Sequence, residues 1–332
     1  MPQTTTSQDP NSHIPRIVAI GGGTGLSTLL RGLKRHTPSI TAIVTVADDG
    51  GSSGRLRRSL GVLPPGDFRS CIAALADDEA LITQLFQYRF GQGNELDGHS
   101  FGNLFISALA AVTGSFERAI LEAGHVLAIS GSIVPSTLEN VVLVAELPAP
   151  AGLTRVEGES AIPHAGGRIE RVFLRPEGVR AYPGAVRAIL AADLILAGPG
   201  SLFTSILPNL LVDGIRRAVA ASRALKLYVC NVATQPGETD GMNVGQHVAA
   251  LQQHVGRDLF PFVIANSRVC SSTEQPQLKP VLLDYPAGVG VIAADVVDAA
   301  APWRHDAGRL AEQIMHFYHT QRSSELKEEN ST

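Results

Sequence analysis

Two short apolar runs that each end in a glycine cluster constrain the fold more than any other feature of the chain. Arg16 to Ile20 leads into Gly21-Gly22-Gly23-Thr24-Gly25, and Ile40 to Val46 ends at Ala47-Asp48-Asp49-Gly50-Gly51-Ser52-Ser53-Gly54. Between them, Leu26, Leu29, Leu30 and Leu33 stand at i, i+3, i+4 and i+7, the spacing of one apolar helix face. Strand, glycine turn, helix and strand in that order describe a right-handed βαβ unit of a parallel sheet.

The remaining pattern extends this unit. From Pro64 to Gly124 it is helical, with helices predicted at Asp67 to Ala76, Glu79 to Phe90, Phe101 to Val112 and Phe116 to Ala123. Strands are expected at Val126 to Ile129, Val141 to Ala145 and Ile169 to Leu174, with a loop-rich stretch over about Pro148 to Arg168. Helices and strands then alternate again. The helix Ala185 to Ala192 feeds the strand Leu194 to Ala197, and a helix near Leu210 to Ala221 feeds Leu225 to Cys230. A helix over Val244 to His254 precedes the strand Phe262 to Ala265, and the last helix covers Ala307 to Tyr318. The expected architecture is α/β: one Rossmann-like, doubly wound, mainly parallel sheet over residues 16–320, with a helical insertion at about 64–124. Residues 1–15 read as a disordered lead-in and 321–332 as a charged flexible tail.

Composition narrows the function. The net charge of −4 disfavours a polyanion binder, so no nucleic acid is expected. The 3 cysteines form no C-x-x-C pair, which argues against a disulfide framework or a thiolate zinc site and for a reducing cytoplasm. Two uncharged windows, Gly98 to Phe116 and Leu194 to Val212, are interrupted by polar residues, glycine or proline, so no membrane span is expected. With 33 glycines and 5% aromatics, close backbone approach is easy and ring stacking scarce.

In an open parallel sheet, ligands bind beyond the carboxyl ends of the strands. Gly21, Gly22, Gly23, Thr24 and Gly25 offer backbone N–H groups at a helix start, the makings of a diphosphate cradle. The fingerprint is incomplete, because Leu26 holds the third glycine position and no Walker lysine follows; a plain strand-to-helix turn is the other reading. Asp48 and Asp49, followed by Gly50, Gly51 and Ser52, could accept bonds from a ribose or base, hold a metal, or cap the turn. Arg55, Arg57, Arg58 and Arg69 could face phosphate or solvent.

Gly198, Pro199, Gly200 and Ser201 make a second candidate ligand loop, and the polar loop with Asn231 and Thr234 a third. Gly98-His99-Ser100-Phe101-Gly102 matches G-x-S-x-G, but no strand precedes it, so Ser100 is read as a helix cap rather than a nucleophile, with Asn103 near any ligand. Arg304, beside the single tryptophan, could clamp a phosphate or start a helix exposed.

Taken together, these segments resemble the YvcK-type family of gluconeogenesis factors. The resemblance is carried by Gly-Gly-Gly-Thr-Gly at 21–25, Ala-Asp-Asp-Gly-Gly-Ser-Ser-Gly-Arg-Leu-Arg at 47–57, Pro-Gly-Asp at 65–67 and Leu-Phe-Gln-Tyr-Arg-Phe at 85–90. Gly-His-Ser-Phe-Gly-Asn at 98–103, Gly-Pro-Gly-Ser-Leu-Phe-Thr-Ser-Ile at 198–206, Thr-Gln-Pro-Gly-Glu-Thr at 234–239 and Arg-His-Asp at 304–306 complete it. That family lies in the wider CofD-like group, named for a 2-phospho-L-lactate transferase. The resemblance implies a UDP-sugar ligand, typically UDP-N-acetylglucosamine, and a bacterial cytoplasmic role in cell shape and peptidoglycan synthesis during gluconeogenic growth. It favours a ligand-binding regulator with no required cofactor, acting on cell-wall synthesis or regulatory proteins and assembling as a homo-oligomer. It also keeps alive a transferase in which Asp48 and Asp49 hold Mg2+.

Overall fold

The computed structural model describes residues 14–76, 81–91, 93, 95–150, 152–269 and 274–329. The opening unit forms as its pattern requires. β1 (Ile17–Gly21) is wholly buried and runs into α1 (Gly23–Leu33), whose Leu26, Leu29, Leu30 and Leu33 are all sealed in the core. β2 (Ile40–Val44) returns parallel to β1, pairing Ile17 with Ile40 and Gly21 with Val44.

Then comes the helical insertion: α2 (Gly51–Leu60), α3 (Gly66–Leu75), α4 (Leu81–Gln87), α5 (Phe101–Thr113) and α6 (Phe116–Val126). The first of these was hidden in the sequence. The segment predicted as a glycine turn after Asp49 is already helical from Gly51, and it stops at Gly61, whose φ of 67° suits glycine.

The strand expected at Val126 to Ile129 is corrected. α6 runs through Val126, and the strand is β3 (Ser132–Pro135), parallel to β2. A four-residue apolar run cannot by itself distinguish a helix end from a strand. β4 (Val142–Ala149), β5 (Gly152–Glu157) and β6 (Arg171–Arg175) then form a separate antiparallel sheet in the order β5-β4-β6. β5 lies in the stretch read as loop; it is an edge strand with almost no buried side chain, so no apolar alternation announces it.

The second half alternates α7 (Pro183–Ala191), β7 (Leu194–Ala197), a π-type turn at Leu202–Ile206, α8 (Leu207–Leu210), α9 (Asp213–Ala221), β8 (Leu225–Val229), α10 (Val244–Val255) and β9 (Phe262–Asn266). An unpredicted β10 (Gly290–Ala294) closes the edge. The final helix, α11 (Ala307–Glu329), runs past the expected end at Tyr318 into the expected tail.

The main sheet is fully parallel in the order β10-β9-β8-β7-β1-β2-β3. The chain moves outward one way from β1 and the other way from β7. Between these neighbours the order reverses, and the loops at their carboxyl ends diverge to leave a crevice. No described helix is long and apolar enough to cross a membrane.

Candidate functional site

A cleft of about 940 Å3 opens at that reversal, beyond the carboxyl ends of β2, β1, β7 and β8. The size is near the upper end of small-molecule sites, which run from about 300 to 1,000 Å3. Of the residues singled out in the sequence, Gly22, Gly23, Thr24, Gly25, Asp48, Gly50, Pro199, Gly200, Ser201, Asn231, Thr234 and Arg304 line it.

The turn after β1 is built for close approach. Gly22 precedes α1 in an extended conformation and lends no side-chain cap. A Cβ there would collide with the carboxylate of Asp67, and one on Gly25 would lie 2.5 Å from the Pro199 carbonyl oxygen. Asp67, from the first turn of α3, accepts the Gly23 N–H. The next amides of the helix start, at Thr24 and Gly25, belong to residues that face the cleft.

The turn after β7 is different. The buried carboxylate of Glu238 accepts the backbone N–H groups of Phe203 and Thr204, and hydrogen bonds from the hydroxyls of Ser201 and Thr204 (3.3 Å for the latter). The single Thr204 hydroxyl proton is shared between that carboxylate and Ser201 Oγ, 2.6 Å away. Burial raises the Glu238 pKa and these donors hold it back. Asn231 clamps the same turn through both backbone groups of one residue, accepting from Gly200 N–H at 3.1 Å and donating to Gly200 O at 2.8 Å. The second candidate cradle is therefore occupied by the protein's own carboxylate.

Asp48 and Asp49, adjacent in sequence, separate in function. Asp48 lines the cleft and accepts the Gly50 N–H at 2.9 Å. Asp49 does not line it: its carboxylate accepts the Ser160 N–H at 2.9 Å and packs against Gly158, whose φ of 98° suits glycine. That bond brings the segment after β5 across, so Glu159 and Ser160 reach the cleft beside Asp48.

The acidic partners of Asp48 are thus Asp67, marked in the sequence only as part of Pro-Gly-Asp at 65–67, and Glu159, which the sequence did not mark. Burial, reinforced by the Asp48 charge, pushes Asp67 up to about 7 against the pull of the Gly23 N–H and Arg69. Burial and the charges of Asp48 and Asp67 push Glu159 up as well. Among the described residues, no group of three or more His, Cys, Asp or Glu is disposed to hold a metal ion.

Other expected site residues serve packing. Ser52 bonds His99 Nδ1 and accepts from Asn103 Nδ2, both at 3.0 Å, which ties α2 to α5 outside the cleft. Ser100 caps α5 by accepting the Asn103 N–H at 3.4 Å, as read from the sequence. Gly21 gives its carbonyl to Asn209, a Cβ on Gly198 would lie 2.8 Å from the Val229 carbonyl oxygen, and Gly51 faces open space. Arg57 donates to the backbone carbonyl of Val141 and to the side-chain Oδ1 of Asn140; among the four arginines at 55–69, only Arg69 lines the cleft.

Arg31, Gln235, Leu278, Trp303 and His305 also line the cleft and were not singled out as ligand contacts. Burial holds His305 neutral, lowering its pKa to about 4, and its Nε2 bonds the Cys230 carbonyl at 3.2 Å. Only Arg31, on α1 two turns beyond the glycines, had a spacing that could have revealed it.

Comparison with known proteins shows the family and the fold. Residues 17–300 match the family described as 2-phospho-L-lactate transferase CofD. A relative from Nostoc sp. is 51% identical over 92% of this chain and 69% of its own. The gluconeogenesis factor of Bacillus subtilis is 46% identical over 91% of this chain and 97% of its own. A crystal structure of a UPF0052-family protein from Bacillus halodurans superposes with a TM-score of 0.86 at 44% identity, covering 91% of this chain and 99% of that one.

Proposed function

The chain belongs to the CofD family and, within it, to the group of gluconeogenesis factors, and from that premise we propose that it binds a UDP-sugar, UDP-N-acetylglucosamine in the first instance, as a regulatory ligand. The observation that carries this reading is the turn at Gly22 to Gly25, whose Thr24 and Gly25 face a cleft large enough for a nucleotide sugar while Asp67 takes only the Gly23 amide. Amides at a helix start and the positive end of its dipole suit a diphosphate. Arg31 and Arg304 add positive charge along the same cleft. The hydroxyls and amides around them suit ribose and sugar oxygens.

The hydroxyl–carboxylate pair that lines the cleft, Ser201 with Glu238, is buried and committed to holding the turn after β7, which favours binding over turnover. In this reading the complex acts in the bacterial cytoplasm on proteins of cell-wall synthesis, and supports cell shape during gluconeogenic growth. Calorimetric titration of the purified protein with UDP-N-acetylglucosamine tests it. One ligand per chain is expected; no heat up to millimolar ligand sinks the proposal.

A second reading, transfer of a phosphorus-containing group, draws on the family description and on the acidic residues beside the cradle. Asp48 would then take the cation role, with Asp67 and Glu159 as neighbours in place of Asp49, and Mg2+ would complete its oxygen shell from phosphates and water. Such an ion would neutralise charge developing on the phosphates. Phosphorus NMR of nucleoside diphosphate substrates with Mg2+ and the protein decides between the two: unchanged spectra exclude transfer.

A further inference from the structure

The two ends of the cleft differ in chemistry, and the difference orients the ligand. On the β2 side stand Asp48 and Glu159, oxygen acceptors with no ring beside them. On the β8 side stands Trp303, the chain's single tryptophan, half-buried on the loop between β10 and α11. That loop is pinned by its own backbone, with Asp298 N–H on Arg304 O at 3.0 Å and Arg304 N–H on Ala301 O at 2.8 Å. The His305 bond to the Cys230 carbonyl fastens it to the end of β8. The indole is thus presented from a rigid support.

A second observation on the same side points to a ligand. Thr234 is only 2% exposed, its hydroxyl has no hydrogen-bond partner, and it lines the same cleft in the loop after β8. A buried hydroxyl without a partner is costly unless something supplies one. The heteroatom edge of a planar base does so while its face covers an aromatic ring.

We propose that Trp303 is the stacking platform for the nucleobase of the bound nucleoside diphosphate, with Thr234 at the base edge. The diphosphate then lies over Gly22 to Gly25, and the group beyond it reaches Asp48 and Glu159. The inference rests on the nucleotide-sugar reading and fixes the direction in which that ligand lies. It also refines the expectation that ring stacking is scarce in this chain: one ring suffices when it stands at the site.

Because Trp303 is the single tryptophan, intrinsic tryptophan fluorescence reports on this residue alone. Wild-type protein is titrated with UDP, pyrophosphate and N-acetylglucosamine 1-phosphate, each followed in parallel by calorimetry. UDP is expected to quench the emission at saturation, whereas the two base-free ligands bind without quenching. Trp303→Ala should weaken UDP by about ten- to a hundredfold, the usual worth of one base–aromatic stack, and leave pyrophosphate unchanged. Trp303→Phe should keep most of the affinity. Should Trp303→Ala fail to fold, the wild-type quenching and Trp303→Phe still decide.

UDP binding by calorimetry with unaltered emission overturns the proposal, as does an equal loss for UDP and pyrophosphate in Trp303→Ala. Absence of UDP binding altogether overturns the nucleotide reading itself, a result calorimetry separates from the first two.

Discussion

The two glycine-rich turns flanking the sheet's reversal look alike in sequence and differ in what fills them. Both follow a buried strand and both lead into a helical turn. After β1, one amide, that of Gly23, meets Asp67, and Thr24 and Gly25 face the cleft. After β7, the amides of Phe203 and Thr204 are committed to Glu238, a residue 37 positions beyond Ser201. A glycine-rich turn therefore announces the capacity to hold an anion, and a distant carboxylate decides whether that capacity is left for a ligand.

The largest expected effect attacks the filled turn. Glu238→Ala strands the Phe203 amide and the Ser201 hydroxyl in a buried place and leaves Thr204 with Ser201 Oγ alone, and should cost about 3–5 kcal/mol in denaturant unfolding. An unchanged midpoint would mean the turn is not held by that carboxylate.

Next comes the open turn's acidic neighbour. Asp67 has a folded pKa of about 7, above its ordinary value of roughly 3.9. Stability tied to its neutral form is full below about pH 4 and is lost as pH rises through 7. Asp67→Asn should therefore be more stable than wild type at pH 8, by on the order of 2–4 kcal/mol, with the difference vanishing near pH 4. A constant difference across that range would contradict the assignment.

Smaller still, Gly25→Ala pushes a methyl against the Pro199 carbonyl and should cost about 1–3 kcal/mol while prising the two turns apart. Its larger signature is the loss of nucleotide-sugar affinity. Unaltered affinity would break the link drawn between the turns.

Much of this frame was legible in the residues. The leucines of α1 and the strand Leu194 to Ala197 fall where periodicity put them, because both are buried and their pattern is undiluted. β5 and β10 were not legible: they lie at sheet edges with few buried side chains, so no alternation marks them. The site divides in the same way. Backbone cradles at strand ends can be read locally, since glycine and a following helix are local signals. The partners that reach those ends from elsewhere cannot. Asp49 and Asp48 were equal in sequence until the Ser160 amide claimed one of them, Asp67 takes the Gly23 amide from α3, and Glu159, Glu238 and Trp303 reach the cleft from segments far along the chain.

The central claim is that the turn after β1 takes the diphosphate while the turn after β7 is closed to it. A crystal of the protein soaked with UDP-N-acetylglucosamine tests this in one experiment. The account predicts diphosphate density against the amides of Thr24 and Gly25, with Glu238 still bonded to Phe203 and Thr204. Density against Phe203 and Thr204, with Glu238 displaced, would contradict it.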